Sequence, residues 1–227
     1  MTGDLAPPQS LAFDVAHLLG TMVLVLSFGL LFQRRIFGVL RTFALQASLL
    51  AAAAAWQAFV QGAPHLYITA AIALVFKAIV IPVALHHIVL KLQIHRTVET
   101  VFGVGLTMII GVGLVALSIL LVLPVTYQSG AITRENLALA LSVVLLGLLM
   151  MITRRNAVTQ VVGFMSLENG LILAAVGVRG MPFVVEMSVA FSVMVAFIIF
   201  GVFFFHIRER FDTLDLHYLE TFRGERE

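Results

Sequence analysis

Cysteine is absent from the chain, which excludes disulfides, iron–sulfur ligation and a thiol nucleophile. Charge is scarce as well. Only 11% of residues are Asp, Glu, Lys or Arg, whereas a soluble domain carries about 25%. The signatures HExxH, P-loop and GxSxG are missing, and with them the zinc-hydrolase, nucleotide-hydrolase and serine-hydrolase classes. Histidines are few and lie mostly at the ends of apolar segments, so the chain offers no basis for haem, quinone or nickel chemistry of its own.

What the chain has in abundance is apolar surface. Hydrophobic residues make up 61% of it, and the mean hydropathy is +1.07. Several runs reach about 20 apolar residues, the length needed to cross a bilayer as a helix. Without water in the bilayer core the backbone must satisfy its own hydrogen bonds, and long unbroken runs select helices over a barrel. The expected fold is an all-alpha polytopic membrane protein. The net charge of +2 and pI near 9.4 report membrane topology rather than a nucleic-acid partner. No basic residue precedes the first apolar run in MTGDLAPPQS, so that run is expected to stay as a helix rather than be cleaved as a signal peptide.

Seven spans are expected, at about 14–32, 39–59, 66–90, 101–123, 137–152, 157–178 and 182–206. Asp14 and His17 share a face near the start of the first and read as a headgroup-zone pair. The second is alanine-rich over 51–55, which favours close helix approach, and Trp56 suits an interface anchor. Pro82 in the third span frees the Ala78 carbonyl and is expected to bend the helix. Gly103, Gly105, Gly111 and Gly113 give the fourth span close-packing surface, and Pro124 is expected to end it. Beyond the last span, Phe211, Leu214, Tyr218 and Phe222 recur at helical spacing, so the polar tail reads as a short amphipathic helix. Arg34, Arg35, Arg41, Lys91, Arg96, Arg154, Arg155, Arg208 and Arg210 fall on one side of this arrangement, and only Arg134 and Arg179 on the other. The positive-inside rule then puts the N-terminus outside and the C-terminus in the cytoplasm. A retinal protein also has seven helices, but it needs a lysine in its last helix, and this chain has none there.

A few charges lie inside the apolar spans. Glu168 stands in FMSLENGLILAAV, about 16 Å of helical rise from the start of its span, near the middle of a core about 30 Å thick. Its sequence neighbours Ser166 and Asn169 are polar but are expected on other faces. Glu186 lies in the next span, nearer its outer end, with Ser188 and Ser192 four apart. Lys77 is central in the third span, too deep for its stem to snorkel comfortably to an interface. His86 and His87 follow toward the inner end, either as a proton feed or as a solvated basic end. Intramembrane ionisable groups mark ion paths by default, and buried acids and lysines shifted toward neutrality can exchange protons. The competing reading is structural: acids paired to cations on other helices or subunits. Na⁺ in place of H⁺ is equally compatible with these residue types.

The run NAVTQVVGFMSLENGLILAAV, followed after one short loop by the acid of VVEMSVAF, carries a family resemblance. The chain resembles membrane component E of the fourth hydrogenase, the formate-hydrogenlyase type of group-four NiFe hydrogenase. Its last three helices also resemble subunit K of respiratory complex I and the C subunit of multi-subunit cation/proton antiporters. The resemblance implies an N-terminal four-helix part over 1–135, a three-helix unit over 136–206 and a cytoplasmic tail over 207–227. It places Glu168 and Glu186 at the family's two membrane glutamates. Glu186 departs from the pattern by sitting closer to its helix start than a mid-membrane relay would. The resemblance implies a non-catalytic subunit of the bacterial cytoplasmic (inner) membrane, contributing carboxylates to ion translocation coupled to electron transfer. Its implied partners are large antiporter-like membrane subunits, a quinone-site-like membrane subunit and a peripheral redox arm holding the iron–sulfur clusters and the NiFe centre, with no cofactor in this chain. The alternatives are a purely structural membrane anchor and a free-standing small-solute transporter, the latter disfavoured because seven helices do not divide into two equal repeats.

Overall fold

The computed structural model describes residues 9–91, 101–125 and 131–177, together with the isolated helical positions Met194, Ile198 and Gly201. Among these residues the fold is all-alpha. Helix α1 spans Gln9–Phe32 and α2 spans Ile36–Gln61. Next come α3 (Pro64–Ile72), a π-helical stretch Ala73–Val80 and α4 (Ile81–Lys91), which continue one another as a single rod. Then follow α5 (Val104–Val125), α6 (Ala131–Thr153) and α7 (Ala157–Gly177). Among the described residues six helices are long and apolar enough to cross a bilayer: Leu11–Phe32, Ile36–Gln61, His65–Leu90, Val104–Val122, Glu135–Thr153 and Ala157–Gly177. The chain is a multi-pass membrane protein. The expected seventh span, the 178–181 turn with Glu186 beyond it, and the amphipathic tail lie outside the described residues.

Most helices begin or end a few residues beyond their expected bounds, because hydropathy marks the lipid-facing middle of a helix and not its polar ends. Two differences have structural causes. Pro124 lies within α5, which is described as far as Val125; its missing N–H removes a single bond, the one to the Leu120 carbonyl. Ahead of Pro82 the ladder widens, with the Ile81 N–H reaching the Phe76 carbonyl five residues back. A π turn is the usual way a helix absorbs a local mismatch in its ladder, and here it lies immediately upstream of the residue that lacks an N–H.

Helices α1 and α2, α5 and α6, and α6 and α7 pair antiparallel. Trp56 Nε1 donates to the Ala12 carbonyl at 3.1 Å, so the indole ties α2 to the opposite end of α1. Gly62, at φ 62°, caps α2 in the left-handed region that only glycine adopts without cost. The closest approach in the bundle is between α6 and α7. A Cβ on Gly147 would meet the Leu167 backbone nitrogen at 2.5 Å, and one on Gly170 would meet the Val144 nitrogen at 2.8 Å. This seam corrects the expectation for α5, where only Gly111 is packed, against Phe28 and Leu146, while Gly103, Gly105 and Gly113 face open space. In lipid, where no hydrophobic force draws helices together, such backbone proximity supplies the van der Waals contact.

Arg154, one of the basic residues on the side assigned to the cytoplasm, is 1% exposed. Its Nη2 donates to the Leu30 carbonyl at 3.1 Å and to the Leu31 carbonyl at 2.5 Å. These belong to the last turn of α1, whose final carbonyls have no partners within the helix and carry the negative end of its dipole. Arg154→Met is expected to lower stability by about 1.5–2 kcal/mol, measured by unfolding in mixed micelles. A change near zero would show that water satisfies those carbonyls equally well.

Candidate functional site: a polar layer inside the bundle

The apolar interior divides into two clusters. One gathers Leu30 and Leu31, Val39 to Phe43, Ile81 and Leu85, Leu146 to Met150, and Val162 and Met165. The other gathers Val23, Leu50 to Ala58, Leu66 and Ala70, Ala140 and Val143, and Ile172 to Val176. Between them, on every rod except α5 and α6, the chain places polar side chains: Ser27 on α1, Gln46 on α2, Lys77 on the π stretch, and Ser166, Glu168 and Asn169 on α7. None is more than 3% exposed. Lys77 and Glu168 each lie about midway along their spans.

The layer is organised around Lys77. Its Nζ lies 3.2 Å from Glu168 Oε2 and donates to Asn169 Oδ1 at 3.0 Å. Consecutive residues on a helix point about 100° apart, and the ammonium sits in the angle between them. Asn169 and Glu168 thus point in different directions, as expected, yet both reach the same ammonium. The wide π turn matters here: Ala73 and Lys77 are its buried residues, so it turns the lysine inward while Leu74, Val75 and Ile79 face outward.

The network then runs back through α2 to α1. Asn169 Nδ2 donates to Gln46 Oε1 at 3.2 Å, and Gln46 Nε2 donates to Ser166 Oγ at 3.0 Å and Ser27 Oγ at 2.7 Å. Ser27 Oγ donates to the Val23 carbonyl at 3.0 Å. Gln46 and Ser27 were not singled out from the sequence. The available signal was a lone glutamine in the middle of the apolar run FALQASLL, since an amide is retained at that depth only if it is hydrogen-bonded.

The remaining sequence candidates are elsewhere. His86 and His87 are exposed on α4. The His86 ring packs 4.7 Å from Phe37, and His87 Nδ1 lies 2.9 Å from the Val83 carbonyl, to which a protonated Nδ1 donates. Glu186 lies outside the described residues. His17, expected beside Asp14, reaches across to Glu135 of α6 at 3.5 Å, with both side chains about half exposed. Among the described residues no group of three His, Cys, Asp or Glu side chains is placed to hold a metal ion.

Chemically, a carboxylate and an amine at 3.2 Å can share a proton directly. The charged pair and the neutral pair carry the same net charge, so a proton moving between them leaves the net charge of the low-dielectric layer unchanged.

No family model and no solved structure matches this chain. Curated proteins do. The uncharacterized protein Rv0085 of Mycobacterium tuberculosis is 30% identical over 152 residues, covering 66% of this chain and 69% of that protein. Hydrogenase-4 component E of Escherichia coli K12 is 28% identical over 164 residues, covering 71% of this chain and 76% of its own length, and the Shigella flexneri protein of that name matches to the same extent. With this identity and coverage, on a bundle of long apolar helices, the chain belongs to the family of multi-pass membrane proteins that includes Rv0085 and hydrogenase-4 component E.

Proposed function

We propose that the chain is a non-catalytic membrane subunit of a hydrogenase-like, energy-converting complex in the bacterial cytoplasmic membrane. In this reading the Lys77–Glu168 pair is a relay in a path for protons, or for Na⁺, coupled to electron transfer in partner subunits. The observation that carries it is the pair itself: opposite charges 3.2 Å apart, mid-span, inside a polar layer walled by two apolar clusters. Charges at that depth are costly and are kept where ions move. The relatives named hydrogenase-4 component E supply the kind of assembly.

The finer parts of the reading rest on sequence. The N-terminus lies outside and the C-terminus in the cytoplasm, by the positive-inside distribution. Residues 1–135 form the N-terminal part, 136–206 a unit similar to complex I subunit K and the antiporter C subunit, and 207–227 a cytoplasmic tail. Glu186 continues the path toward the outer side, and His86 and His87 feed it from the inner end. Antiporter-like and quinone-site-like membrane subunits flank the chain, and a peripheral arm carries the iron–sulfur clusters and the NiFe centre.

The test is Glu168→Gln in the native complex. Glutamine keeps an oxygen for the Lys77 ammonium but removes titration. Assembly is expected to persist while redox-driven proton uptake into inverted membrane vesicles falls about tenfold or more, the scale of losing a positioned proton-transfer group. Unchanged uptake would defeat the relay. A purely structural anchor is favoured by the pairing of Lys77 with both Glu168 and Asn169 within the bundle. That reading instead expects full proton uptake from whatever Glu168→Gln complex assembles. Co-purification of a lone chain without redox subunits would defeat both.

A further inference from the structure

An asparagine amide beside a lysine can sit either way round. Its oxygen accepts from either form of the amine but more strongly from the ammonium, whereas its nitrogen can donate only to the lone pair of the neutral amine. In this bundle the donor inventory fixes the choice. The Val23 carbonyl can only accept, and it takes the hydroxyl proton of Ser27 at 3.0 Å and is approached by Gln46 Nε2 at 3.5 Å. Ser27 Oγ then acts as acceptor for Gln46, which must present its nitrogen to α1. That same nitrogen reaches Ser166 Oγ. Gln46 Oε1 is left to accept, Asn169 Nδ2 donates to it, and Asn169 Oδ1 is turned toward Lys77. The sense of the whole chain therefore follows from one backbone carbonyl on α1, three side chains away from the lysine.

We propose that Ser27 and Gln46 are positioning residues that lock the Asn169 amide with its oxygen on Lys77, and so hold Lys77 as the ammonium ion. Among the described residues, α7 brings Glu168 as the one titratable side chain against Lys77, and α2 brings the uncharged Gln46 to Asn169. The lock extends the relay reading, on which its functional consequence rests. It determines the resting protonation of the pair, and with it which partner must gain or lose a proton first.

Lysine occurs only at positions 77 and 91, so the full chain carrying Lys91→Arg and labelled with ¹⁵N-lysine has a single side-chain nitrogen signal. In detergent micelles at neutral pH that signal is expected at the ammonium position. Asn169→Leu is expected to reduce the ammonium fraction most, and Gln46→Leu by about twofold or more, because an unlocked or absent amide no longer favours the charged form. Gln46→Glu is expected to keep the signal, since a carboxylate still accepts from Asn169 Nδ2. An ammonium signal unchanged in Gln46→Leu overturns the lock, as does equal loss in Gln46→Glu and Gln46→Leu. If Gln46→Leu fails to fold, Ser27→Ala against Ser27→Thr decides: loss in the first with retention in the second supports the lock, and identical signals overturn it. Proton uptake is scored separately. A normal lock in a complex whose uptake ignores Glu168 defeats the relay reading and leaves this one standing.

Discussion

Glu168→Leu is expected to cost the folded bundle about 3 kcal/mol, Lys77→Met a comparable amount, and the double variant much less than the sum. Removing one member of a buried ion pair leaves the other charge uncompensated, which costs about 3–5 kcal/mol, whereas replacing both by apolar groups of similar size is often neutral. The low end of that range applies here, because a chain unfolded within the membrane still finds partners for its polar groups. Lys77 keeps Asn169 Oδ1 when Glu168 is lost, which softens the loss further. The measurement is a double-mutant cycle on unfolding in mixed detergent–denaturant micelles, where contacting residues show coupling of about 0.5–3 kcal/mol. Additive single effects would mean that the 3.2 Å contact carries no coupling. The double variant has a second use: it is expected to assemble normally yet move no protons by this route, separating the stability of the layer from its transport.

Gly170→Leu is expected to separate α6 from α7 and to disable the site without touching a polar atom. The obstacle includes backbone: besides Val144 Cγ2 at 2.7 Å, an added Cβ lies 2.8 Å from the Val144 nitrogen and 2.9 Å from the Ala140 carbonyl oxygen, and neither of these backbone atoms is free to turn aside. The helices must therefore move apart. Overpacking of this kind costs about 1–3 kcal/mol, occasionally more. Gly170 follows Asn169 directly, so displacing α7 here also shifts the Asn169 and Glu168 contacts to Lys77. Gly147→Ala is expected to act in the same direction, since its Cβ would meet Leu167 backbone at 2.5 Å. Gly113→Ala provides the control: it has open space around it and is expected to leave both stability and proton uptake at parental levels. Equal effects at Gly170 and Gly113 would show that the seam does not hold the bundle together.

The sequence revealed the membrane class, the approximate position of the described spans, and the depth of Lys77 and Glu168. Each follows from a local quantity: run length, or distance along one helix. It did not reveal the pairing of Lys77 with Glu168 or the participation of Gln46 and Ser27, because these contacts join residues 19 to 123 positions apart. Glycine was equally ambiguous. The cluster on α5 looked richer than Gly147, Gly163 and Gly170, yet it is the latter group that meets backbone on a neighbouring helix. Arg154 was read by its place beside Arg155 at a span end, and only the packing of α6 against α1 buries it over the Leu30 and Leu31 carbonyls.

By itself, then, the sequence determined that this protein lives in a bilayer as a bundle of helices and that a lysine and a glutamate lie at mid-depth in separate spans, because composition and periodicity act within each helix. The tertiary structure alone decided that the two charges face each other between two apolar clusters, and that a directed chain of hydrogen bonds from α1 orients the amide beside them. Which face of a helix meets which neighbour is set by the packing of small and large side chains between helices, a property of pairs of segments that no single apolar run contains.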